Sequence, residues 1–472
     1  TGTADAPSSI SLSMDGSDGS LLRARGNVDV DVFGFVQASG SFGIEKKTGS
    51  ISLADNPATT TVDESLTPVS VDMLLLGATG LKAFAGINGG QANALGLSLS
   101  GVDLGLALYT ERLSGTTGTP REWTTLQASV TSAELGGISG LTAQVGSLTV
   151  NVNRKAGDGT VVDYSLDPTR TDGTRRTAVK VLTGPTSDLE LTLDGRRGDL
   201  LEARGRVVLD AFGFVQVSGE FAFERASSPI TLTLADGTQR EARALKVGAS
   251  NLRAFAGIDG GKSSAVGLEL SGVEFGLAML SDVSDATRSW TSLQAKARSA
   301  ALVGIEGLIA SGDTLSIEVN RAGKPGDAVV DYSRVDPLDS SSARRTAMTL
   351  ATGVSSSFDL AMAAADGELL RASGNLQLDV FGFFQARGAF AIERRDETLS
   401  LNDGVASEDP TKAKAPTRLQ TRMLTIGGSG VDAFAGINGG KSDAMGLKLE
   451  GVDFALALIL SLIHISEPTR PE

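Results

Sequence analysis

The chain is organised around LLRARGNVDVDVFGFVQASGSFGIE (Leu21–Glu45), a sequence that it contains three times. The second copy is LLEARGRVVLDAFGFVQVSGEFAFE (Leu200–Glu224) and the third is LLRASGNLQLDVFGFFQARGAFAIE (Leu369–Glu393). In the first copy, every second residue from Val28 to Ile44 is apolar or small, which is the period of a β-strand. This run predicts either one strand of about 55 Å or a strand that its glycines bend without changing its face.

The rest of the chain has the same character. Turn-forming Gly, Asn and Asp residues separate the alternating segments, and helix-period runs of ten or more residues are hard to find. The apolar parity changes at Gly101, and again at Gly272 and Gly451, which predicts a β-bulge or a sharp corner. We therefore predict an all-β protein, an elongated tandem-repeat array of long antiparallel strands. The array is either β-solenoid-like or an extended curved sheet.

The three copies define the predicted domains. They begin at Leu21, Leu200 and Leu369, so the unit is far longer than the roughly 20–50 residues of common solenoid repeats. The predicted divisions are the tail of a preceding repeat at 1–20, repeat unit 1 at 21–199, repeat unit 2 at 200–368, a truncated repeat unit 3 at 369–460 and a non-native tail at 461–472.

Composition limits the partners. The formal charge of −14 argues against nucleic acid or an anionic membrane surface, since both need a basic face. The absence of Cys excludes disulfides, thiolate metal sites and a Cys nucleophile. No run of about eighteen apolar residues predicts a membrane-spanning helix.

Aromatic residues are few, with 2 Trp, 3 Tyr and 17 Phe, so those that recur at equivalent positions are the expected packing anchors. Charges at Lys46, Lys47, Arg394 and Arg395 are expected to protect sheet edges from pairing with other chains. The expected structural anchors are Phe33, Phe35, Phe212, Phe214, Phe381, Phe383, Trp123 and Trp290.

The only His, His464, lies in the 461–472 segment, which has no counterpart in the other copies. Without it, a Ser/His/Asp arrangement and the common zinc sites are absent, and carboxylates remain as the candidate acids and bases. Asp29 and Asp31 share one strand face, but only the second position stays acidic, as Asp210 and Asp379. The pattern favours a solvated strand end. We predict that the chain has no catalytic and no cofactor-binding residues and is not an enzyme.

Calcium is the one metal with candidate ligands, because it prefers oxygen donors on loops. Neither an EF-hand loop nor the nonapeptide calcium repeat is present, and single Asp residues beside Gly are usually turn formers. The expectation is therefore no cofactor, with these weak calcium candidates: Asn88, Asp103, Asp259, Glu274, Asn438 and Asp453.

The recurrent motifs FGF[VF]Q, AFAGI[ND]GG, GL.L.GV[DE]F and VVDYS resemble the long tandem repeats of giant bacterial surface or secreted proteins of the adhesin-like class. The resemblance covers residues 1 to about 458. It implies an extracellular or cell-surface location, with neighbouring repeats of the same chain and a surface ligand or glycan as partners. The ending SLIHISEPTRPE (Ser461–Glu472) resembles a translated sequencing-adaptor read-through.

Three functions follow from these observations. The leading hypothesis is a structural or adhesive repeat region that forms an extended rod or stalk of a large bacterial extracellular protein. The alternative is a β-groove that carries lipid or another apolar ligand on the continuous apolar strand face. The second alternative is a carboxylate-dependent, glycan-active enzyme that uses Asp31, Asp210 and Asp379. Whether the apolar face is covered separates the first hypothesis from the second.

Overall fold

The computed structural model describes residues 2–3, 6–7, 14–16, 19–54, 68–115, 118–167, 172–324, 326–401 and 417–461. Sixteen long strands follow one another in sequence order in one antiparallel sheet, which does not close into a barrel. The predicted all-β class and long antiparallel strands are confirmed, and the open sheet is the arrangement observed. None of the helical turns among the described residues is long and apolar enough to cross a membrane.

The strands of the sheet are numbered in chain order. Their bounds are β1 Leu22–Val32, β2 Val36–Ile51, β3 Val69–Ile87, β4 Leu95–Glu111, β5 Glu122–Gly136, β6 Leu141–Arg154, β7 Leu200–Ala211, β8 Val215–Thr233, β9 Gln239–Ile258, β10 Val266–Asp282, β11 Ser289–Val303, β12 Leu308–Ala322, β13 Leu369–Val380, β14 Phe384–Leu401, β15 Thr417–Ile437 and β16 Met445–Ser461. Short two-stranded pairs join Gly2–Thr3 to Ala6–Pro7, Lys180–Leu182 to Asp188–Glu190 and Thr349–Ala351 to Ser357–Asp359, and 3-10 turns lie at Gly195–Arg197 and Ala364–Asp366.

Both interpretations of the repeated sequence, one long strand or a strand that its glycines bend, were wrong. The chain reverses after Val32, and β1 and β2 form a hairpin in which Val32 lies opposite Val36. Phe33 and Gly34 both have positive φ, at 52° and 71°, and the Phe35 N–H donates to the Val32 carbonyl. The loop has three residues, an odd number, so the apolar parity of β1 continues into β2 on the same face of the sheet.

The 461–472 segment lies outside the described residues apart from Ser461, and the predicted 1–20 tail is described only in part.

The edges of the described sheet are β1 and β16, whereas Lys46 and Lys47 lie on β2 and Arg394 and Arg395 on β14. The edge-protecting role expected of these four residues was therefore wrong, because both strands are interior.

Contacts divide the chain into two compact units, residues 1–131 with 149–201 (unit 1) and residues 132–148 with 202–472 (unit 2). The predicted repeat boundaries fall just before β7 and just before β13. In each of the first two repeats, the residues after the sixth strand fold back over the sheet. We call these residues, the described parts of 155–199 in unit 1 and of 323–368 in unit 2, the cover segments.

The cover segment of unit 2 seals one face of the sheet at one end. Ala244, Leu280, Trp290 and Ala322 lie side by side on β9 to β12 and are buried. The cover residues packed against this sheet surface are Val330, Tyr332, Met348, Leu350, Leu360 and Met362. Gly248 lets the cover segment approach closely, since a Cβ there would clash with the carbonyl oxygen of Ala351. This surface is the hydrophobic core of the unit.

A buried chain of hydrogen bonds fixes the cover segment to the sheet. The Tyr332 hydroxyl donates to Ser292 Oγ at 2.8 Å, and Ser292 Oγ donates to Asn320 Oδ1 at 3.2 Å. Asn320 Nδ2 then donates to the Val330 carbonyl at 2.7 Å, which closes the chain back on the cover segment. Burial raises the pKa of Tyr332, so its hydroxyl remains a donor at any physiological pH.

Unit 1 contains the same arrangement. The Tyr164 hydroxyl donates to Thr125 Oγ1 at 2.9 Å, and Asn153 Nδ2 donates to the Val162 carbonyl at 2.8 Å. Tyr109 adds a further hydroxyl 2.8 Å from that of Tyr164. The VVDYS motif therefore serves to hold the cover segment on the sheet in both repeats.

We expect Trp290→Ala to lower the free energy of unfolding of unit 2 by about 3–5 kcal/mol, because it leaves a large cavity under the cover segment. Urea denaturation followed by circular dichroism measures the effect. Leu338→Ala is the matched control, since Leu338 lies in the same cover segment but is 96% exposed. Equal denaturation midpoints for the two variants would contradict the assigned core.

Candidate ligand-binding face

The repeated aspartate of the first hairpin holds the turn. Asp31 Oδ1 accepts the Gly34 N–H at 2.7 Å, and its Oδ2 accepts Gln37 Nε2 at 2.8 Å. Asp210 and Asp379 make the same two hydrogen bonds in their own repeats. The backbone bond, and then the glutamine, lower the pKa of Asp31. The residues named for the enzyme alternative thus have a structural role, and their catalytic role stays an untested prediction.

The packing role expected of the phenylalanines was wrong. All six lie in the hairpin turns, beyond the paired part of the strands, and they are between 55% and 94% exposed. Phe212 and Phe381 make one contact of interest, since their rings lie over Gly140 and Gly307 in the turn of the preceding hairpin. The six residues that are not packing anchors are Phe33, Phe35, Phe212, Phe214, Phe381 and Phe383.

The two tryptophans are placed as the packing interpretation expects. Trp123 and Trp290 are each 1% exposed and lie in the cores of units 1 and 2. The Trp123 indole N–H donates to the Thr160 carbonyl at 3.1 Å, and that of Trp290 donates to the Ala328 carbonyl at 2.9 Å. Both bonds join the sheet to the cover segment.

The calcium candidates hold bulges and turns. Asp103 and Asp453 accept the backbone N–H groups of Gly80 and Gly430, at 2.9 and 2.8 Å. Glu274 lies opposite Lys296 in the ladder between β10 and β11. The described part of the chain holds no cluster of three or more His, Asp or Glu side chains that could bind a metal. The remaining three calcium candidates lie in turns and have positive φ; they are Asn88, Asp259 and Asn438.

The face opposite the cover segment is apolar. Residues that lie opposite one another in antiparallel strands share a face, so the register gives complete rows across unit 2. Two rows each cross all nine strands from β8 to β16 and contain only apolar residues. One row is Val215, Ala256, Leu268, Leu302, Ala310, Leu378, Ala386, Ala433 and Leu449; the other is Phe221, Ala249, Phe275, Ala295, Ile317, Ala372, Ile392, Ile426 and Leu456. We call the surface that contains them the apolar face.

A line of irregular residues keeps these rows on one face. Asn251, Gly272 and Thr314 have positive φ at neighbouring positions on β9, β10 and β12. The register shifts at this level against β8 and against β13. Each irregularity adds one residue, which compensates for the change of parity along the strand. The corner predicted at Gly272 is therefore part of a line that crosses several strands.

The described residues leave most of the apolar face uncovered, although Ala249, between Phe221 and Phe275 in the second row, is buried. Leu268, Ile317, Leu376 and Ile392 are 45–47% exposed, whereas Trp290 on the covered face is 1% exposed. Nine strands about 4.8 Å apart and about 25 Å of strand length give a surface of roughly 1,000 Å². The largest apolar patch on a typical monomer is about 300–600 Å², so this face has the size of an interaction surface.

The apolar face of unit 2 contains a shallow groove of about 420 Å³. Small residues on β11 and β12 line its floor, and larger side chains on these and other strands line its walls. The floor residues include Ala300, Ala310 and Gly312, and the walls include Leu268, Leu376, Leu378 and Phe390.

Unit 1 has an apolar face of its own with the same pattern. Val36, Ala85 and Leu97 form one row across β2 to β4, and a second row contains Ile44, Leu76 and Leu106.

No protein-family model, curated protein or solved structure matches the chain.

The exposed turn gives a prediction of its own. Phe33 is 94% exposed with φ 52°, a left-handed conformation that Asn adopts more readily than Phe. We expect Phe33→Asn to raise the free energy of unfolding of unit 1 by about 1 kcal/mol. Phe381→Asn is the control, because the gain there is offset by the lost contact with Gly307. Thermal and urea denaturation measure both, and stabilisation of the same size in both variants would contradict the assigned contact.

Proposed function

We propose that the chain binds long apolar molecules, such as the acyl chains of lipids, along its open apolar face. The observation that carries this proposal is the contrast between the two faces of unit 2. The cover segment seals one face, while Leu268, Met279 and Leu456 on the other face remain 40–50% exposed. A protein that needed only a core would gain nothing from this second apolar surface.

The groove suits an acyl chain. Burying one CH₂ group contributes about 0.8 kcal/mol, so a tail of a dozen methylenes gains several kcal/mol even with one side covered. The wall residues Leu268 and Leu376 stand on either side of the small residues Ala310 and Gly312. A groove without polar groups at its floor binds a hydrocarbon through shape and buried area, and it does not require the ligand to carry polar groups at fixed positions.

A structural or adhesive array is the second candidate, and the junction between repeats 2 and 3 favours it. β12 and β13 are hydrogen-bonded from Leu308 opposite Val380 to Asn320 opposite Leu369. Arg371 joins the two repeats further, since it contacts Glu318 of repeat 2 at 3.0 Å while Glu393 of its own repeat holds it at 2.6 Å. Repeats joined in this way add stability through their neighbours. The cell-surface location of such an array stays a prediction.

An uncharged fluorescent probe of apolar surfaces, such as Nile red, tests the first candidate. We expect the full chain to bind it and a long-chain alcohol to displace it. The double variant Leu268→Glu/Leu376→Glu should weaken probe binding at least about tenfold, because it places charge in the groove. Leu338→Glu, at an exposed position of the cover segment, is the matched control and should bind as the unchanged chain does.

Two results would overturn the proposal. One is equal probe binding by the double variant and the control. The other is a chain that forms dimers in light scattering and does not bind the probe, which would show that a second copy occupies the face. A chain that neither dimerises nor binds the probe would favour the structural array.

A further inference from the structure

One end of the apolar face carries a row of basic side chains. In unit 2, Arg225 lies opposite Leu245 on the apolar face, and Arg394 lies between Leu370 and Leu424. Arg321 lies opposite Thr291 at the same end of β12. We call the basic residues at this end the basic rim; they are Arg225, Arg243, Arg321, Arg394 and Arg422.

The rim recurs in every copy of the repeat. Lys46, Arg225 and Arg394 occupy equivalent positions, two residues after the last apolar residue of the repeated sequence. Arg321 has its equivalent in Arg154 at the end of β6. The whole chain has a formal charge of −14, so basic residues at the border of an apolar face are not a consequence of composition.

Neighbouring cations on the two faces differ in their partners. Arg395, on the covered face, contacts Glu393 and Glu397, each at 3.1 Å. Arg394, the residue before it, is exposed on the apolar face and makes no ion pair with any described residue. In unit 1, Lys47 corresponds to Arg395 and contacts Glu45 at 3.3 Å, whereas Lys46 corresponds to Arg394.

The rim keeps an excess of positive charge. Among the described residues, Arg225, Arg243 and Arg321 also lack an ion pair, while Arg422 contacts Asp396 at 3.3 Å. Glu241, at the same end of the sheet, accepts a hydrogen bond from the Thr231 hydroxyl. Guanidinium groups that are exposed and free of carboxylate partners can form paired hydrogen bonds with a carboxylate or phosphate.

We propose that the apolar face takes anionic lipids, with the hydrocarbon tail in the groove and the anionic headgroup at the basic rim. This inference rests on the proposed function and adds the class of ligand and its direction of binding. The dimensions agree: ten residues separate Val215, at the far end of β8, from Arg225 in the rim, or about 33 Å. One acyl chain spans about half of a bilayer core of about 30 Å, so it fits between the two.

A fluorophore-labelled hexadecanoic acid and its methyl ester test the inference, because they share one tail and differ in charge. We expect the full chain to bind the acid about tenfold more tightly than the ester at low salt. At 0.5 M salt the difference should shrink, since the rim is exposed and screened. The double variant Arg321→Gln/Arg394→Gln should bring the affinity for the acid down to that for the ester and leave the ester unchanged.

Arg206→Gln is the matched control. Arg206 is exposed and alternates with Val207 on β7, so it projects from the opposite face. Denaturation midpoints of all variants check that they fold.

Each of the remaining outcomes contradicts either the proposed function or the role of the basic rim. If neither acid nor ester binds, the proposed function fails. If both bind with equal affinity, the apolar face binds lipid and the rim has no part in it. If Arg206→Gln lowers the affinity for the acid as much as the double variant does, the effect is one of net charge and the rim inference is wrong.

Discussion

The fold depends on a cover segment that seals one face of the sheet and leaves the other open. In unit 2, the hydrogen bonds from Tyr332 through Ser292 to Asn320 and back to Val330 hold that segment in place. A long sheet must bury one face to be stable, and in each of the first two repeats a cover segment, which contains a short two-stranded pair of its own, achieves this burial. The apolar residues of the opposite face are therefore not needed for the core, which leaves them available for binding.

Period-two alternation predicted the strands and their apolar side correctly, since that pattern follows directly from strand geometry. The bulge at Gly272 was also predictable, because Gly at a change of parity marks a positive φ. Asn251 and Thr314 continue the same line; Asn is a residue type that tolerates positive φ, but the β-branched Thr314 gave no such signal. The chain fold-back could not be read from sequence either, since the contact of Tyr332 with Ser292 joins residues 40 positions apart.

The hairpin was missed because Phe33–Gly34 is an unusual turn sequence and Asn-Gly or Asp-Gly is the usual signal. The odd loop length kept the alternation intact, so the pattern gave no warning. Asp31 was the available signal, because an aspartate three residues before a glycine can accept its N–H. The basic rim was hidden for a related reason: Arg394 and Arg395 are adjacent in sequence, yet a strand sends them to opposite faces.

The register between repeats preserves the apolar face. Ala386 of repeat 3 is the equivalent of Val217, yet it lies in the row of Val215, so the register advances by two residues from repeat 2 to repeat 3. A shift of one residue would turn the apolar side chains of β14 toward the covered face, whereas a shift of two keeps them in place. The same advance places Arg394 opposite Leu370, in the row of Phe223, which is two residues closer to the centre of the face than Arg225. An even shift is thus what allows successive repeats to present one apolar surface with a stepped basic border.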